Sequence, residues 1–238
     1  MPERHQNLSL IIMATVWFRR DAYEFIIMSN IQVYFQLLSR LAPKQPDAFA
    51  HRAAFKQYQQ QLIYAYRAEI LARQLNVAKQ DLQFDKTEHG KPFLGNYPEL
   101  AFNHSHGREH YALAVSQQVQ DLGVDIESLQ RKVRFQALAE HAFHPEEYQH
   151  WQATGQNPEY WFQVWTAKEA ILKACGLGIR LSLNTLNTQA VAGQQQGYCQ
   201  HSELGQFSYQ HFVWQDALCT VAWRDREGLS PEIGYIQP

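Results

Sequence analysis

Cysteine is scarce in this sequence, and the few cysteines present do not form a recognisable framework. The 238 residues include Cys175, Cys199 and Cys219, and no Cys-x-x-Cys pair occurs. An odd number without that spacing argues against a disulfide framework and against a zinc knuckle, and it favours a reducing cytoplasm. We therefore expect the three cysteines to be small buried hydrophobic side chains.

The sequence also lacks a long apolar run near its start. The stretch Leu8–Phe18 is shorter than the roughly 20 residues that a membrane-spanning helix needs. Arg19, Arg20 and Asp21 follow it, where a signal peptide would have small residues. We predict no membrane segment and no export signal.

An excess of charge of either sign is absent as well. The formal net charge is -2, which gives no global reason to expect binding to nucleic acid or to an acidic membrane surface. The apolar fraction of 45% is typical of a globular protein rather than a disordered one. We expect one large domain or two small ones, and a cytoplasmic monomer.

Alternating and helical patterns predict the elements of an α+β protein. Residues 31–35 alternate as a strand, and Leu62, Tyr66 and Ile70 mark a long helix that Asp47 caps and that ends near Asn76. The strongest helix is "NPEYWFQVWTAKEAILKACG", ended by Gly176 and Gly178. Short strands are predicted in "LAFNHSH", "HYALAVS", "LGVDIE" and the tail after Leu181.

The order of these elements suggests two similarly built halves. A long helix followed by short antiparallel strands occurs twice, on either side of residue 120. We place the halves at 28–119 and 120–238. Since the strand pattern begins just after Met28, residues 1–27 are interpreted as an N-terminal extension or as an incorrectly assigned start.

The stretch "DLGVDIE" places two carboxylates side by side on a strand. Leu122, Val124 and Ile126 form its apolar face, while Asp125 and Glu127 share the opposite face and repel each other. They are either solvated acids paired with Arg131 and Lys132, or ligands for a hard cation such as Mg²⁺. Gly123 is expected to leave open space on their face, and Asp121, further along the strand, is expected to be structural.

The stretch "WTAKEAILKA" places Glu169 and Lys173 four residues apart on one helix face. An exposed ion pair of this kind contributes only a few tenths of a kcal/mol. The aromatic and aliphatic neighbours argue instead for partial burial, where both groups need partners. If this helix packs beside the Asp125 strand, Glu169 supplies a third carboxylate and a cation becomes necessary.

Two further motifs carry polar candidates. His104 and His106 in "FNHSHG" lack the other ligands of a zinc site, so Ser105 and His106 either contact a phosphate or hydroxyl group or form a hydrogen-bonded turn. Lys91 in "HGKPF" is either a fixed point charge for a phosphate or an ordinary turn residue.

Taken in order, "GKPF", "FNHSH", "GVDIE" and "WTAKEAILKA" resemble the phosphopantetheinyl transferases of the Sfp type over roughly residues 28–225. The resemblance implies a pseudo-dimer of two α+β halves, each a long helix on a small antiparallel sheet. It also implies a Mg²⁺-dependent, holo-acyl-carrier-protein synthase type of reaction. In the reaction that the resemblance implies, the 4'-phosphopantetheine arm of coenzyme A would be moved to a serine of an apo acyl or peptidyl carrier protein, with release of 3',5'-ADP.

The resemblance also implies roles for single residues. Asp125, Glu127 and Glu169 look like the Mg²⁺ ligands, and Lys173 looks like the lysine that contacts the transferred phosphate. A second set resembles contacts to coenzyme A phosphates: Lys91, Ser105, His106 and Lys173. The serine proton would pass to Glu169 or to a metal-held water, and fatty-acid, polyketide and peptide synthesis all stay open as pathways.

The sequence departs from the family pattern in the strand and in the first helix. His104 stands where the family usually has an aliphatic residue, and either Arg67 or Arg73 could supply the helix arginine that meets a coenzyme A phosphate. Two alternatives stay open: an inactive relative that binds carrier proteins, and a different Mg²⁺ enzyme such as a phosphodiesterase.

Overall fold

The computed structural model describes residues 30–42, 49, 51–177, 181–226 and 231–237. The predicted extension at 1–27, the cap at Asp47 and the helix end at Gly178 lie outside these residues. Helices α1 to α5 in the described part of the chain are Leu38–Leu41, Arg52–Leu75, Phe135–Ala142, Pro145–Ala153 and Pro158–Cys175. Strands β1 to β10 in the same part are Ile31–Leu37, Phe84–Lys86, Pro92–Leu94, Ala101–His106, His110–Ser116, Leu122–Ser128, Gln196–His201, Gly205–Trp214, Ala217–Arg224 and Ile233–Ile236.

The first sheet has the strand order β10-β1-β5-β4, and α2 covers one of its faces. Side chains alternate along its strands, so Tyr111 and Leu113 of β5 pack under α2 while Ala112 and Ala114 point the other way. Its inner strands pair antiparallel, but β10 pairs parallel with β1. The expectation of a purely antiparallel sheet is therefore wrong at this edge.

The second sheet has the order β6-β9-β8-β7, and all of its pairs are antiparallel. Helix α5 packs on one face, where Ala167, Ala170 and Ala174 meet Phe207 and Tyr209. Lys168 of α5 forms a buried ion pair with Glu147 of α4, with 2.7 Å between Nζ and Oε2. This pair joins α4 to α5 beneath the surface.

The two four-stranded sheets share one apolar core between their inner faces, and β2 and β3 form a separate two-stranded sheet. Val33 and Phe35 of β1 pack with Val124 and Ile126 of β6 in that core, together with Val221 of β9. The layers are thus helix, sheet, sheet and helix, which confirms the α+β class. The division into two similar halves at residue 120 stays a prediction.

The ends of the long helices follow from local chemistry. His51 Nδ1 accepts from the backbone N of Ala54 at 3.1 Å at the start of α2, and Asn76 ends it in the left-handed region at φ 54°. Asn157 caps α5, accepting from the backbone N of Glu159 at 2.8 Å, and Gly176 ends it at φ 71°. The predicted ends at Asn76 and Gly176 are confirmed.

Gly123 lets α5 approach β6 closely. A Cβ atom added there would lie 2.0 Å from the carbonyl O of Ala170 and 2.5 Å from the backbone N of Ala174. The expectation of open space at Gly123 is wrong, because the backbone of α5 fills that space. This contact sets the face of β6 that carries Asp125 and Glu127 against the face of α5 that carries Glu169 and Lys173.

Cys199 and Cys219 are buried, and Cys175 is half-buried; all three are free thiols. Burial raises the pKa of the Cys175 thiol to about 11, so it is protonated at neutral pH. Two of the three cysteines thus behave as the expected buried hydrophobic side chains. None of the helices described in the structure is long and apolar enough to cross a membrane.

Candidate functional site

Asp125 lies at the junction of the two sheets and α5. Its carboxylate is almost fully buried and Oδ1 accepts from the hydroxyl of Ser105 on β4 at 2.8 Å. Lys173 Nζ donates to the same Oδ1 at 2.7 Å and to Ser105 Oγ at 2.8 Å. Three elements therefore converge on one carboxylate oxygen, and the predicted neighbours Ser105, Asp125 and Lys173 are brought together.

The second oxygen of Asp125 is left without a hydrogen-bond partner. Oδ2 is buried, and no donor in the described part of the chain satisfies it. A buried carboxylate oxygen without a partner is costly, and such groups call for an explanation such as an ion. Oxygen of this kind is the donor that Mg²⁺ prefers.

Glu169 and Glu127 add negative charge to the same place. Burial raises the pKa of Glu169, and the charges of Asp125 and, more weakly, Glu127 raise it further. Burial and the charge of Asp125 likewise raise the pKa of Glu127. The three predicted carboxylates thus act on one another electrostatically, as expected for ligands that a shared cation would relieve.

The three carboxylates are not gathered in a finished metal geometry. Within the described ranges, no group of three His, Cys, Asp or Glu side chains is arranged to hold a metal ion. The orphaned Oδ2 of Asp125 and the all-oxygen donor set nevertheless fit a hard cation. Within the described residues, His104 and His106 belong to no group that could hold a metal ion, so the zinc interpretation of these two residues gains no support.

Glu127 has a cationic neighbour in this structure. The guanidinium of Arg131 donates to Oε1 of Glu127, with about half of the Arg131 side chain exposed. The first alternative drawn from the sequence, acids paired with Arg131 and Lys132, is thus realised for Glu127 and Arg131. Asp121 stands apart, as expected, and pairs with Arg224.

The ammonium group of Lys91 donates hydrogen bonds to the backbone of the protein itself. Nζ donates to the carbonyl O of Leu122 at 3.1 Å and of Ala174 at 2.7 Å, linking β6 to the last turn of α5. Burial lowers the pKa of Lys91 to about 8. Its contact with a phosphate stays a prediction, and the observed contacts position the strand and the helix.

His106 lines two neighbouring cavities of about 810 and 720 Å³ together with Gly107 and Arg108. We call these cavities, with the adjoining group of Ser105, Asp125 and Lys173, the cleft. Partial burial lowers its pKa, as does the nearby charge of Lys173. His104 points under α2 toward the rings of Tyr64 and Tyr111, and burial lowers its pKa to about 3. His104 is therefore a neutral packing residue near the cleft.

The two helix arginines differ in burial, and which of them meets a coenzyme A phosphate stays a prediction. Arg67 is 6% exposed and its guanidinium lies over the rings of Phe84 and Phe102, whereas Arg73 pairs with Glu69 on the surface. Asn103 was overlooked in the sequence: its Oδ1 accepts from the backbone N of Val124 at 2.9 Å and ties β4 to β6. The signal was its alternation with Ser105, which places both side chains on the face toward β6.

Comparison with known proteins shows which sequences this chain resembles. Residues 121–222 match the model of the 4'-phosphopantetheinyl transferase superfamily, a range that contains Asp125, Glu127, Glu169 and Lys173. The chain is 31% identical over 156 residues to the 4'-phosphopantetheinyl transferase gsp of Aneurinibacillus migulanus, covering 63% of this chain and 62% of that one.

Two other relatives carry similar names. The chain is 36% identical to the 4'-phosphopantetheinyl transferase HetI of Nostoc sp. over 115 residues, which cover 46% of this chain and 48% of the relative. It is 29% identical to the 4'-phosphopantetheinyl transferase Sfp of Bacillus subtilis over 122 residues, covering 50% and 53%. The alignments thus span about half to three-fifths of the length of these relatives.

Proposed function

We propose that the whole chain is a 4'-phosphopantetheinyl transferase, on the premise that residues 121–222 match the model of that superfamily. The substrates would be coenzyme A and the serine hydroxyl of an apo acyl or peptidyl carrier protein. The serine oxygen forms a bond to the phosphorus that carries the pantetheine arm, the bond from that phosphorus to the bridging oxygen breaks, and 3',5'-ADP leaves.

The convergence of Lys173, Asp125 and Ser105 is the observation that carries this proposal. An ammonium held 2.7 Å from a carboxylate with an unused buried oxygen offers both signs of charge in one cleft. Phosphoryl-type transfer depends mainly on positioning and on stabilising charge on the phosphate oxygens. A site of this composition is suited to a pyrophosphate.

The carboxylates would hold the cofactor and the lysine would hold the phosphate. Asp125, Glu127 and Glu169 would bind Mg²⁺, which supplies neutralisation of the pyrophosphate charge when bound. Lys173 would donate to the oxygens of the transferred phosphate. Ser105 keeps the Lys173 ammonium in place, and His106 lines the cleft where coenzyme A phosphates would enter.

The serine proton needs an acceptor. We assign it to Glu169 or to a water beside that carboxylate, because the charges of Glu169 and Asp125 interact and so place Glu169 next to the proposed site of attack. Burial and the charge of Asp125 raise the pKa of Glu169 in the protein without a cation, and a bound cation would lower it.

Mass spectrometry of an apo carrier protein incubated with coenzyme A and Mg²⁺ tests the proposal. We expect a gain of the phosphopantetheine mass, and a loss of at least about 100-fold in rate for Glu169→Gln. Glu159→Gln, the same change at an exposed position of α5, should keep the wild-type rate. Full activity of Glu169→Gln would remove the catalytic assignment.

The partner carrier protein is tested in the same experiment. Apo carrier proteins of fatty-acid, polyketide and peptide synthesis are incubated separately with the enzyme, because partner choice depends on surface contacts. Binding without any mass gain across the three classes would favour an inactive carrier-binding protein. Hydrolysis of a phosphodiester without coenzyme A would favour a different Mg²⁺ enzyme.

A further inference from the structure

The half-buried ion pair between Arg131 and Glu127 occupies a carboxylate that the proposed function needs for its cation. The guanidinium of Arg131 contacts Oε1 of Glu127, and 46% of its side chain is exposed against 15% for Glu127. A guanidinium and a divalent cation on one carboxylate repel each other, so each is held less firmly when the other is present. Arg131 and the cation therefore favour different states of Glu127.

Arg131 is held near Glu127 by the backbone that follows β6. The backbone N of Arg131 donates to the carbonyl O of Ser128 at 3.0 Å, and the backbone N of Leu129 donates to the carbonyl O of Asp216 at 2.8 Å. The hydroxyl of Ser128 donates to Oδ2 of Asp216 at 3.0 Å. This turn fixes the base of the Arg131 side chain while its guanidinium stays half in solvent.

The two cationic side chains at the site, Lys173 and Arg131, differ in how firmly they are held. Lys173 bonds both Asp125 and Ser105 and its side chain is 29% exposed, whereas Arg131, among the described residues, pairs with Glu127 alone through a side chain that is 46% exposed. Because nearly half of the Arg131 side chain is already in solvent, water can replace Glu127 as the partner of its guanidinium. The cavity of about 720 Å³ lined by Glu127, Arg108, Arg131 and Lys132 gives the released side chain room.

We propose that Arg131 is an exchangeable counter-ion of Glu127. It neutralises Glu127 in the cation-free protein, leaves that carboxylate when a divalent cation binds, and thereby lowers the affinity of the site for the cation. This inference rests on the proposed function, since it takes Glu127 as a cation ligand. Arg131 is a residue that tunes the site rather than one that touches the reacting atoms.

Calorimetric titration of the full chain with Mg²⁺ tests the proposal, with Mn²⁺ binding followed by electron paramagnetic resonance as a second readout. Arg131→Gln should tighten cation binding by about three- to fivefold, the factor that corresponds to releasing a surface ion pair. Arg131→Lys keeps the charge and should stay near the wild type. Arg134→Gln removes the same charge from an exposed position three residues away and should change the affinity by less than about twofold.

The outcomes separate this inference from the proposed function. If Glu169→Gln abolishes cation binding while Arg131→Gln leaves the affinity unchanged or weaker, the counter-ion role is wrong and the metal site stands. Equal tightening in Arg131→Gln and Arg134→Gln would mean a general field effect, which also overturns it. If no variant binds a cation, both the inference and the Mg²⁺ part of the proposed function fail.

Discussion

At the scale of single residues, charge in the cleft is balanced by internal partners that the protein itself supplies. Lys173 and Arg131 each neutralise one carboxylate, while burial and the charge of Asp125 raise the pKa of Glu169. The unused oxygen of Asp125 is the place where this balance is incomplete. A group that binds there gains more than one that binds a fully satisfied carboxylate.

Lys91 gives a pH-dependent stability. Burial lowers its folded pKa to about 8, whereas an unfolded lysine titrates near 10.4, so the unfolded state binds more protons between these values. The destabilising effect of the buried charge is fully present below pH 8 and disappears as the pH rises toward 10.4. We expect the wild type to gain about 1–2 kcal/mol of unfolding free energy relative to Lys91→Met between pH 7.5 and 9.5.

Urea denaturation of both proteins at the two pH values measures this difference. Lys86→Met, an exposed lysine in the short strand before Lys91, serves as the matched control and should track the wild type. A pH-independent difference between the wild type and Lys91→Met would show that the ammonium of Lys91 is not penalised by burial.

At the scale of elements, the site exists because α5 lies directly on β6. The close approach at Gly123 brings the faces that carry Asp125 and Lys173 into hydrogen-bonding distance. Lys91 strengthens the same contact from the side by bonding a carbonyl of each element. The geometry of the carboxylates is thus a property of one strand–helix interface.

Gly123→Ala should disrupt this interface. Its Cβ would meet backbone atoms of Ala170 and Ala174 that cannot rotate away, so we expect a loss of about 2–4 kcal/mol of unfolding free energy. Thermal and urea denaturation measure it. Gly107→Ala is the control, because its Cβ would make an ordinary 3.6 Å contact with the carbonyl O of Ile126. Equal stability of the two variants would contradict the close approach.

Local patterns predicted the elements of the site better than its contacts. The alternation of Leu122, Val124 and Ile126 and the helical spacing of Glu169 and Lys173 are visible in the sequence, and both elements formed as expected. The role of Gly123 was missed, because a glycine that faces open space and a glycine that lies against a neighbouring backbone cannot be told apart in the sequence. The carbonyl contacts of Lys91 depend on tertiary packing in the same way.

At the scale of the whole molecule, the two sheets are joined by one core rather than by a linker. Residues of β1 and β6 pack in the same apolar cluster, and Asn103 and Ser105 cross between the sheets as hydrogen-bond partners. The cleft that holds the carboxylates lies along this junction. Separation of the sheets would therefore dismantle the site.

A shared core predicts a single cooperative unfolding transition. Far-UV circular dichroism reports on both sheets and tryptophan fluorescence includes Trp214 and Trp223 of the shared core, so the two urea midpoints should coincide. Val33→Ala, a substitution at a fully buried position of the first sheet, should lower the unfolding free energy by about 1–3 kcal/mol. The urea midpoints of both probes should then fall together. Two separated transitions, or a shift of only one probe, would count against a common core.

The parallel pairing of β10 with β1 has a consequence for synthesis of the chain. Ile31 pairs with Ile233, so this edge of β1 stays unpaired until a segment about 200 residues later in the chain has been synthesised. Until that segment leaves the ribosome, β1 presents unpaired backbone donors and acceptors to its surroundings. The nascent chain is exposed there to mispairing with other strands, and chaperone dependence during translation should concentrate on this edge.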